Sequence, residues 1–375
     1  IFRMNGYQTI YDGATGILRL PLNRGIERGF NIIEKHSNKN YDNDWNNVYQ
    51  KLIENTEKKI PSFFFLHTSA VHDPYLTGHK QKHHFTDLPE YPNIALTRDE
   101  YHAFSQEFLS FCAELILSKN PYVERQNAIH SENRQIAEKL KQAKNLQEGI
   151  NIFNTLARPI NRYCFNAWNN SKININDPNQ VEYLKALYDE QIYNMDRHLG
   201  NFLALLSDPK LSKNTILIIT ADHGEEFMEH GELYHSKNAY RTSTYVPLVM
   251  YIPGIKKNKI NDLIQGIDIY PTVLGLTGLS PQSFIQGNNF TNVILKKKNA
   301  KTNQYVISDY LGIVGVGDKK WRLYLNMKNP KKTELYDIES DPLEQKEIKY
   351  LYPMIHAELL RVAEKYLAEG NATKQ

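Results

Sequence analysis

Apolar and polar positions along this 375-residue chain follow two rhythms. Short continuous apolar runs occupy residues 62–68 (SFFFLHT), 215–220 (TILIIT) and 246–252 (VPLVMYI), the last ended by Pro253 and Gly254. Runs this short, bounded by turn residues, predict buried strands. Elsewhere apolar residues recur at steps of three and four. Val181, Leu184, Tyr188, Ile192, Met195, Leu199, Phe202 and Leu206 form a stripe that predicts one long helix lying on a sheet. Ser207, Asp208 and Pro209 close it. A second helix is expected over residues 270–276, stopping at Gly278. The opening residues, IFRMNGYQTIYDG, read as a helix end, a turn at Gly6 and a short strand. Continuous apolar strands separated by helices predict an α/β fold: a mixed, mostly parallel sheet flanked by helices and covered on both faces.

Two stretches break that rhythm. Residues 76–178 are polar, lack strand signals and are helical in patches (98–119 and 132–157), which predicts a helical insertion between two strands of the sheet. Insertions of this kind shape access to a site or simply elaborate the scaffold. After Gly287, residues 305–309, 312–316, 321–326 and 334–337 predict short antiparallel strands, and 353–368 a terminal helix. The expected organisation is therefore an α/β core over residues 1–290, carrying the insertion, and a small α+β subdomain over 291–375.

Composition narrows the function classes. Hydrophobic residues make up 41% and charged residues 23%, enough for a sizeable core. A formal net charge of +3 gives no basic footprint for nucleic acid, and no apolar run reaches the length of a membrane span. Cys112 and Cys164, in SFCAEL and RYCFNAW, read as buried thiols and not as a disulfide framework. Sequons at Asn169, Asn289 and Asn371 carry little weight in an Asn-rich chain. The first residue, Ile1, opens directly on a helix end, so the chain is expected to be N-terminally incomplete.

The chemistry concentrates in TILIITADHGEEFMEHGELYHSKNAY. A buried strand ends and delivers Asp222 and His223 to a Gly-containing loop, and ligand sites in open α/β sheets lie at strand carboxyl ends. Asp222 offers oxygen and His223 nitrogen to a divalent cation. His235 and Lys237 follow on one loop: a histidine can protonate a leaving group, and an ammonium can bind an anionic ester oxygen. Each piece alone is commonplace; their order and close spacing make the case. His230 reads as a surface residue, and His67, inside the apolar run, as a buried structural one. His79, His83 and His84 are irregularly spaced on a polar stretch and read as solvated. Asp42 and Asp44 in NYDNDWNN read as loop residues.

ADHGEEF, HSKNAY and VPLVMYIPG together resemble the C-terminal metal motif of the sulfatase family, within the alkaline-phosphatase superfamily. FFFLHTSAVHDPY is similar to that family's strand followed by a His-x-Pro-Tyr loop. LYDEQIYNMDRHLGNFLALL resembles the helix before the metal strand, GIDIYPTVLGLTG the helix after the VPL strand, and ELYDIESDPLEQ a segment near the family's C-terminus. NGYQTIYDG is a weaker match to an upstream Gly-Tyr segment; the Lys and His that many members carry just after it are absent from YDGATG. The resemblance implies that Asp222 and His223 are metal ligands. Lys237 and His235 would contact the anionic group and the leaving oxygen, and His72 would make a further contact. Judged on its residues alone, His72 is a loop histidine fixed by Asp73 or Tyr75.

The family's Cys/Ser-x-Pro-x-Arg nucleophile segment, whose Cys or Ser becomes formylglycine in true sulfatases, has no counterpart here. The two acidic metal ligands of the family's first strand are absent too. An N-terminal segment upstream of Ile1 accounts for both, so the fragment alone is expected to be inactive. The resemblance thus implies a sulfuric ester hydrolase acting on a small-molecule or carbohydrate sulfate, with Ca²⁺ as cofactor and an extracytoplasmic location. Mn²⁺ or Zn²⁺ would suit a phosphoryl-transfer relative. A phosphodiesterase, phosphonate hydrolase or phosphoethanolamine-type transferase of the same superfamily remains an alternative, as does a non-catalytic sulfatase-like protein.

Overall fold

The structure is a computed structural model that describes residues 1–14, 29–36, 41–72, 75, 85, 106–120, 123–124, 132–156, 160, 163–164, 167–168, 174–235, 238–283, 285–297, 300–310 and 312–372. A short 3-10 turn, Arg3–Asn5, is closed by Gly6 at φ 81°, a left-handed conformation that glycine adopts without steric cost. The chain then enters β1 (Gln8–Ala14), the middle strand of a parallel sheet ordered β2-β1-β3. Its neighbours are β2 (Ile32–His36) and β3 (Ser62–His67), in register with Ile10 opposite Ile32 and Tyr11 opposite Phe65. Helix Tyr41–Glu57 makes the crossover from β2 to β3. Rings line one side of this sheet: Phe2 stacks on Phe63 at 4.7 Å and Tyr11 on Phe65 at 5.8 Å.

The strand that carries the Asp-His pair is β4 (Leu217–Thr220). After it come a two-stranded hairpin, β5 (Glu226–Phe227) with β6 (Leu233–Tyr234), and then β7 (Leu248–Tyr251), which pairs with β4 in antiparallel register. The sheet elements are thus mixed, as the apolar runs predicted, and helices flank them. Cover of both faces is not seen throughout among the described residues. Val249 and Tyr251 alternate with Leu248 and Met250, and at 59% and 47% exposure they lie on a face that the described residues leave open. Phe65 of β3 is likewise exposed.

The long helix spans Pro178–Leu206, with Asp177 capping its first turn through Asn179. Its amino half packs Val181, Leu184 and Leu187 against Tyr75, Phe227 and Leu233 of the hairpin region. Its carboxyl half meets helix Tyr41–Glu57, where Trp45 stacks on Phe202 at 4.6 Å. The buried stripe drifts from the predicted one: Ile192 is exposed, while Glu190 and Asn194 are buried. A helix touching different partners along its length need not bury one straight row. Helix Tyr41–Glu57 also corrects the reading of Asp42 and Asp44, which lie on its first turn and not in a loop.

Within the insertion, helices Gln106–Leu117, Asn133–Lys141 and Leu146–Phe153 build a core of their own, with Phe108, Leu109, Ile116, Leu140 and Phe153 at its centre. Cys112 and Cys164 are both free and buried there, and burial, reinforced by Cys164, pushes the Cys112 thiol far up. His79, His83 and His84 lie outside the described residues.

After β7, helix Gly266–Leu276 is pinned by Asp268, fully buried, which accepts from the backbone N–H groups of Gln265 (2.8 Å) and Asn288 (2.7 Å) and from Asn303 Nδ2 (2.7 Å). Asp268→Ala strands these three donors and is expected to cost about 2 kcal/mol in a urea titration. The chain finishes in a four-stranded antiparallel sheet ordered β11-β10-β9-β8, made of β8 (Val306–Tyr310), β9 (Ile313–Gly317), β10 (Trp321–Asn326) and β11 (Thr333–Asp337). Terminal helix Pro353–Ala372 covers it, burying Leu359 and Ala363 against Val314, Val316, Leu323 and Leu335. No helix among the described residues is long and apolar enough to cross a membrane.

Candidate active site

Two strand ends meet at the site. β3 ends at His67 and leads into the loop that carries His72, where the His72 N–H donates to Ser69 O at 3.2 Å. β4 ends at Thr220, and two residues later the chain presents Asp222 and His223. The Asp222 side chain is 64% exposed, and its Oδ1 accepts from the His223 N–H at 3.1 Å. His223 Nδ1 donates to Gly224 O at 2.8 Å, which fixes the proton on Nδ1 and leaves the Nε2 lone pair free. That Nε2 stands 3.7 Å from Asp222 Oδ2. A nitrogen and an oxygen at this separation are close enough to converge on one cation, and orienting a ligand imidazole through a carbonyl on its other nitrogen is the usual outer-shell device of metal sites.

Gly224 makes this turn possible. A Cβ here would stand 2.0 Å from Thr242 O, and the Gly224 N–H donates to Ser243 O at 2.8 Å. The loop that carries Asp222 and His223 is therefore pressed, backbone to backbone, onto residues 242–243.

The structure brings three of the predicted histidines together. The rings of His223 and His235 stack at 4.0 Å, and His72 meets His235 edge-on at 4.9 Å. Asp222 and His72 also act electrostatically on His67. His67 is half-buried at the strand end, and burial holds its imidazole below the ordinary value; His72 adds to this and Asp222 opposes it. Its Nδ1 is buried without a hydrogen-bond partner among the described residues. The reading of His67 as purely structural thus misses its place beside Asp222 and His72. Lys237 lies outside the described residues.

Glu225 was not singled out from the sequence. Its carboxylate is 4% exposed; it meets His235 Nδ1 at 3.0 Å and accepts from the Tyr75 hydroxyl at 2.7 Å. The available signal was an acidic residue directly after the Asp-His-Gly turn, ten positions before a second histidine. Tyr75, weighed above as a partner of His72, spends its hydroxyl on Glu225.

His230 is also corrected. It is half-buried and fully engaged, not superficial: Nδ1 meets Glu226 Oε1 at 2.6 Å, Nε2 meets Glu344 O at 3.1 Å, and the ring stacks on Tyr240 at 3.7 Å. Glu226, 1% exposed, also accepts from Thr242 Oγ1 at 2.7 Å and from Asn238 Nδ2. On the other side Glu344 accepts from the Arg241 N–H at 2.7 Å and the Tyr324 hydroxyl at 2.8 Å. This polar latch joins the site's hairpin to the C-terminal sheet.

No group of three or more metal-ligating side chains occurs among the described residues. The donor set fits two positions of a cation's shell, an oxygen and an oriented nitrogen. Any further ligands lie outside that set.

A parallel sheet and an antiparallel strand pair flanked by helices, with an Asp-His pair leaving a strand end and a small C-terminal antiparallel sheet, have the architecture of the sulfatase/alkaline-phosphatase-like α/β class. The family model described as Sulfatase matches residues 1–279, and the chain belongs to the sulfatase family. A second model, N-sulphoglucosamine sulphohydrolase, C-terminal, matches residues 228–366. Arylsulfatase K of Mus musculus is 28% identical over 195 residues, 47% of this chain and 34% of that protein. An Endo-4-O-sulfatase of Bacteroides thetaiotaomicron is 30% identical over 175 residues, 46% of this chain and 32% of its own length. The matched stretch thus spans about a third of these curated relatives. A solved structure in complex with its substrate D-glucosamine-2-N,6-O-disulfate superposes with a TM-score of 0.60 at 17% identity, covering 97% of this chain and 80% of the other.

Proposed function

We propose that this site serves the hydrolysis of carbohydrate sulfate monoesters, with Ca²⁺ held by Asp222 and His223. The observation that carries the reading is the convergence of Asp222 Oδ2 and His223 Nε2, 3.7 Å apart, beside the stacked ring of His235. When bound, the cation supplies positive charge to the non-bridging sulfate oxygens and to the charge that develops on them. The rest falls to side chains of this chain. His235 and His72 stand within one imidazole cluster, and either can hold the proton that a departing alkoxide needs. Lys237 adds an ammonium for the ester anion. The relatives named for sulfated sugars support a carbohydrate substrate. No Cys or Ser in this chain sits in a Cys/Ser-x-Pro-x-Arg segment, so the 375 residues alone are proposed to turn over negligibly.

Calorimetry tests this. A disulfated glucosamine is expected to bind only with Ca²⁺ present, and unsulfated glucosamine not at all. Asp222→Ala or His223→Ala is expected to weaken Ca²⁺ binding by more than about 100-fold, since even outer partners of a metal site contribute up to that much. Equal binding of the unsulfated sugar, or unchanged Ca²⁺ affinity in both variants, overturns the reading. Brisk cleavage of an aryl sulfate by the chain alone would show that it holds its own nucleophile.

A further inference from the structure

We propose that Glu225 and Tyr75 are positioning residues that hold His235 in one tautomer, with the proton on Nδ1 and Nε2 turned toward the anion site. Glu225 Oε1 lies 3.0 Å from His235 Nδ1, and a proton on Nδ1 lets the ring donate to this oxygen while the Tyr75 hydroxyl donates to the other. The second carboxylate oxygen is engaged by the Tyr75 hydroxyl at 2.7 Å, which prevents the group from swinging away. Tyr75 is itself fixed, packed with Val181, Leu184, Leu187 and Phe227. It also lies three positions after His72, so one short stretch of sequence supplies both an imidazole of the site and the anchor of its neighbour.

The ring of His235 has little room to turn. His223 stacks on it at 4.0 Å and His72 closes its edge at 4.9 Å. Nε2 has no hydrogen-bond partner among the described residues, which leaves it as the nitrogen available to a ligand. A nucleophile, an acid or a base ordered by a third group is the general logic of catalytic triads. Here the third group is Glu225 and a fourth, Tyr75, orders the third. A free imidazole in water samples both tautomers and both ring orientations. A charge-assisted bond to one nitrogen removes that freedom before any ligand arrives.

The role of His235 toward a sulfate rests on the function proposed above; its tautomer does not. The test is long-range proton–nitrogen correlation on the full chain labelled with ¹⁵N-histidine, in alkaline buffer where neutral rings show their tautomers. His235→Gln assigns the signal. Wild-type His235 is expected as the Nδ1–H form. Glu225→Leu, which removes the acceptor at similar size, is expected to shift the tautomer ratio by more than about tenfold toward Nε2–H. Glu225→Asp, which keeps the charge, is expected to restore part of the Nδ1–H population. A wild-type ring protonated on Nε2 overturns the proposal, and so does a folded Glu225→Leu chain with an unchanged ratio. If Glu225→Leu does not fold, the wild-type spectrum still decides. A sulfated sugar that fails to bind a chain with the Nδ1–H tautomer would sink the functional reading and leave this inference standing.

Discussion

Gly224→Ala is expected to destabilise the chain by about 3 kcal/mol and to weaken the proposed Ca²⁺ binding together with that loss. The added methyl would sit 2.0 Å from the Thr242 carbonyl oxygen and 3.1 Å from its carbon. Both are backbone atoms, so no rotamer change relieves the clash. The loop must lift from residues 242–243, breaking the 2.8 Å bond from the Gly224 N–H to Ser243 O. The same displacement moves Gly224 O, the acceptor that orients His223. Urea denaturation and Ca²⁺ calorimetry on one preparation check both effects. Gly200→Ala is the control. Gly200 lies in the long helix, and a Cβ there meets nothing within 4 Å, so the substitution is expected to stabilise by roughly 0.5–1 kcal/mol through helix propensity. A Gly224→Ala chain as stable as wild type would mean that the close approach to Thr242 is not present in solution.

The second large effect is expected from Glu226→Ala. It removes a buried carboxylate bonded by His230, Thr242 and Asn238, and leaves the imidazolium facing only a carbonyl. Breaking one partner of a buried pair costs about 3–5 kcal/mol, because the remaining charge stays desolvated. Both His230 ring nitrogens face acceptors, which requires both to be protonated. Burial alone would lower the His230 pKa, but the bond and charge of Glu226, with Glu344 behind, raise it. Burial alone would raise the Glu226 pKa, but the bonds from His230, Thr242 and Asn238 bring it down. The stability from His230 is therefore complete below its unfolded value of 6.5 and is lost as pH rises through its higher folded value. The stability from Glu226 is complete above its unfolded value and is lost as pH falls through its lower folded value. Glu344, raised by burial despite Arg241, Tyr324, Arg322 and His230, acts in the same direction as His230. His67 and His356, both lowered by burial, act in the opposite direction. Thermal melts between about pH 5 and pH 8 are thus compared with those of His230→Gln, and the advantage of the wild type over that variant is expected to shrink toward the alkaline side. An advantage that grows toward alkaline pH would contradict the latch.

What the sequence shows of this molecule is local, and what it hides is mostly distant. The apolar runs around β3, β4 and β7 announce themselves because strand length and turn residues are written within a few positions. Asp222 and His223 were legible for the same reason, since strand, pair and glycine are contiguous. Tyr75 and Glu225 lie 150 positions apart, and nothing in either neighbourhood names the other. His230 looked superficial because one of its two acceptors is a main-chain carbonyl 114 positions downstream. Asp42 and Asp44 looked like loop because NYDNDWNN is rich in turn formers; Trp45, stacked on Phe202, supplies a tertiary contact that holds that segment as helix. A straight stripe puts Ile192 in the core, but the helix changes partners along its length and leaves that side chain exposed.

The contact between Gly224 and residues 242–243 has a consequence for variants found far from it. Residue 241, beside that pair, hangs by its N–H from Glu344, and Glu344 is held in turn by Tyr324 of β10. A substitution at Tyr324 or Glu344, about a hundred or more positions from the Asp-His pair, shifts the support under the turn that presents it. Such a variant should be diagnosed by its cation affinity before it is filed as a fault of a remote sheet. Distance along the chain is a poor guide to which alleles of this protein touch its chemistry.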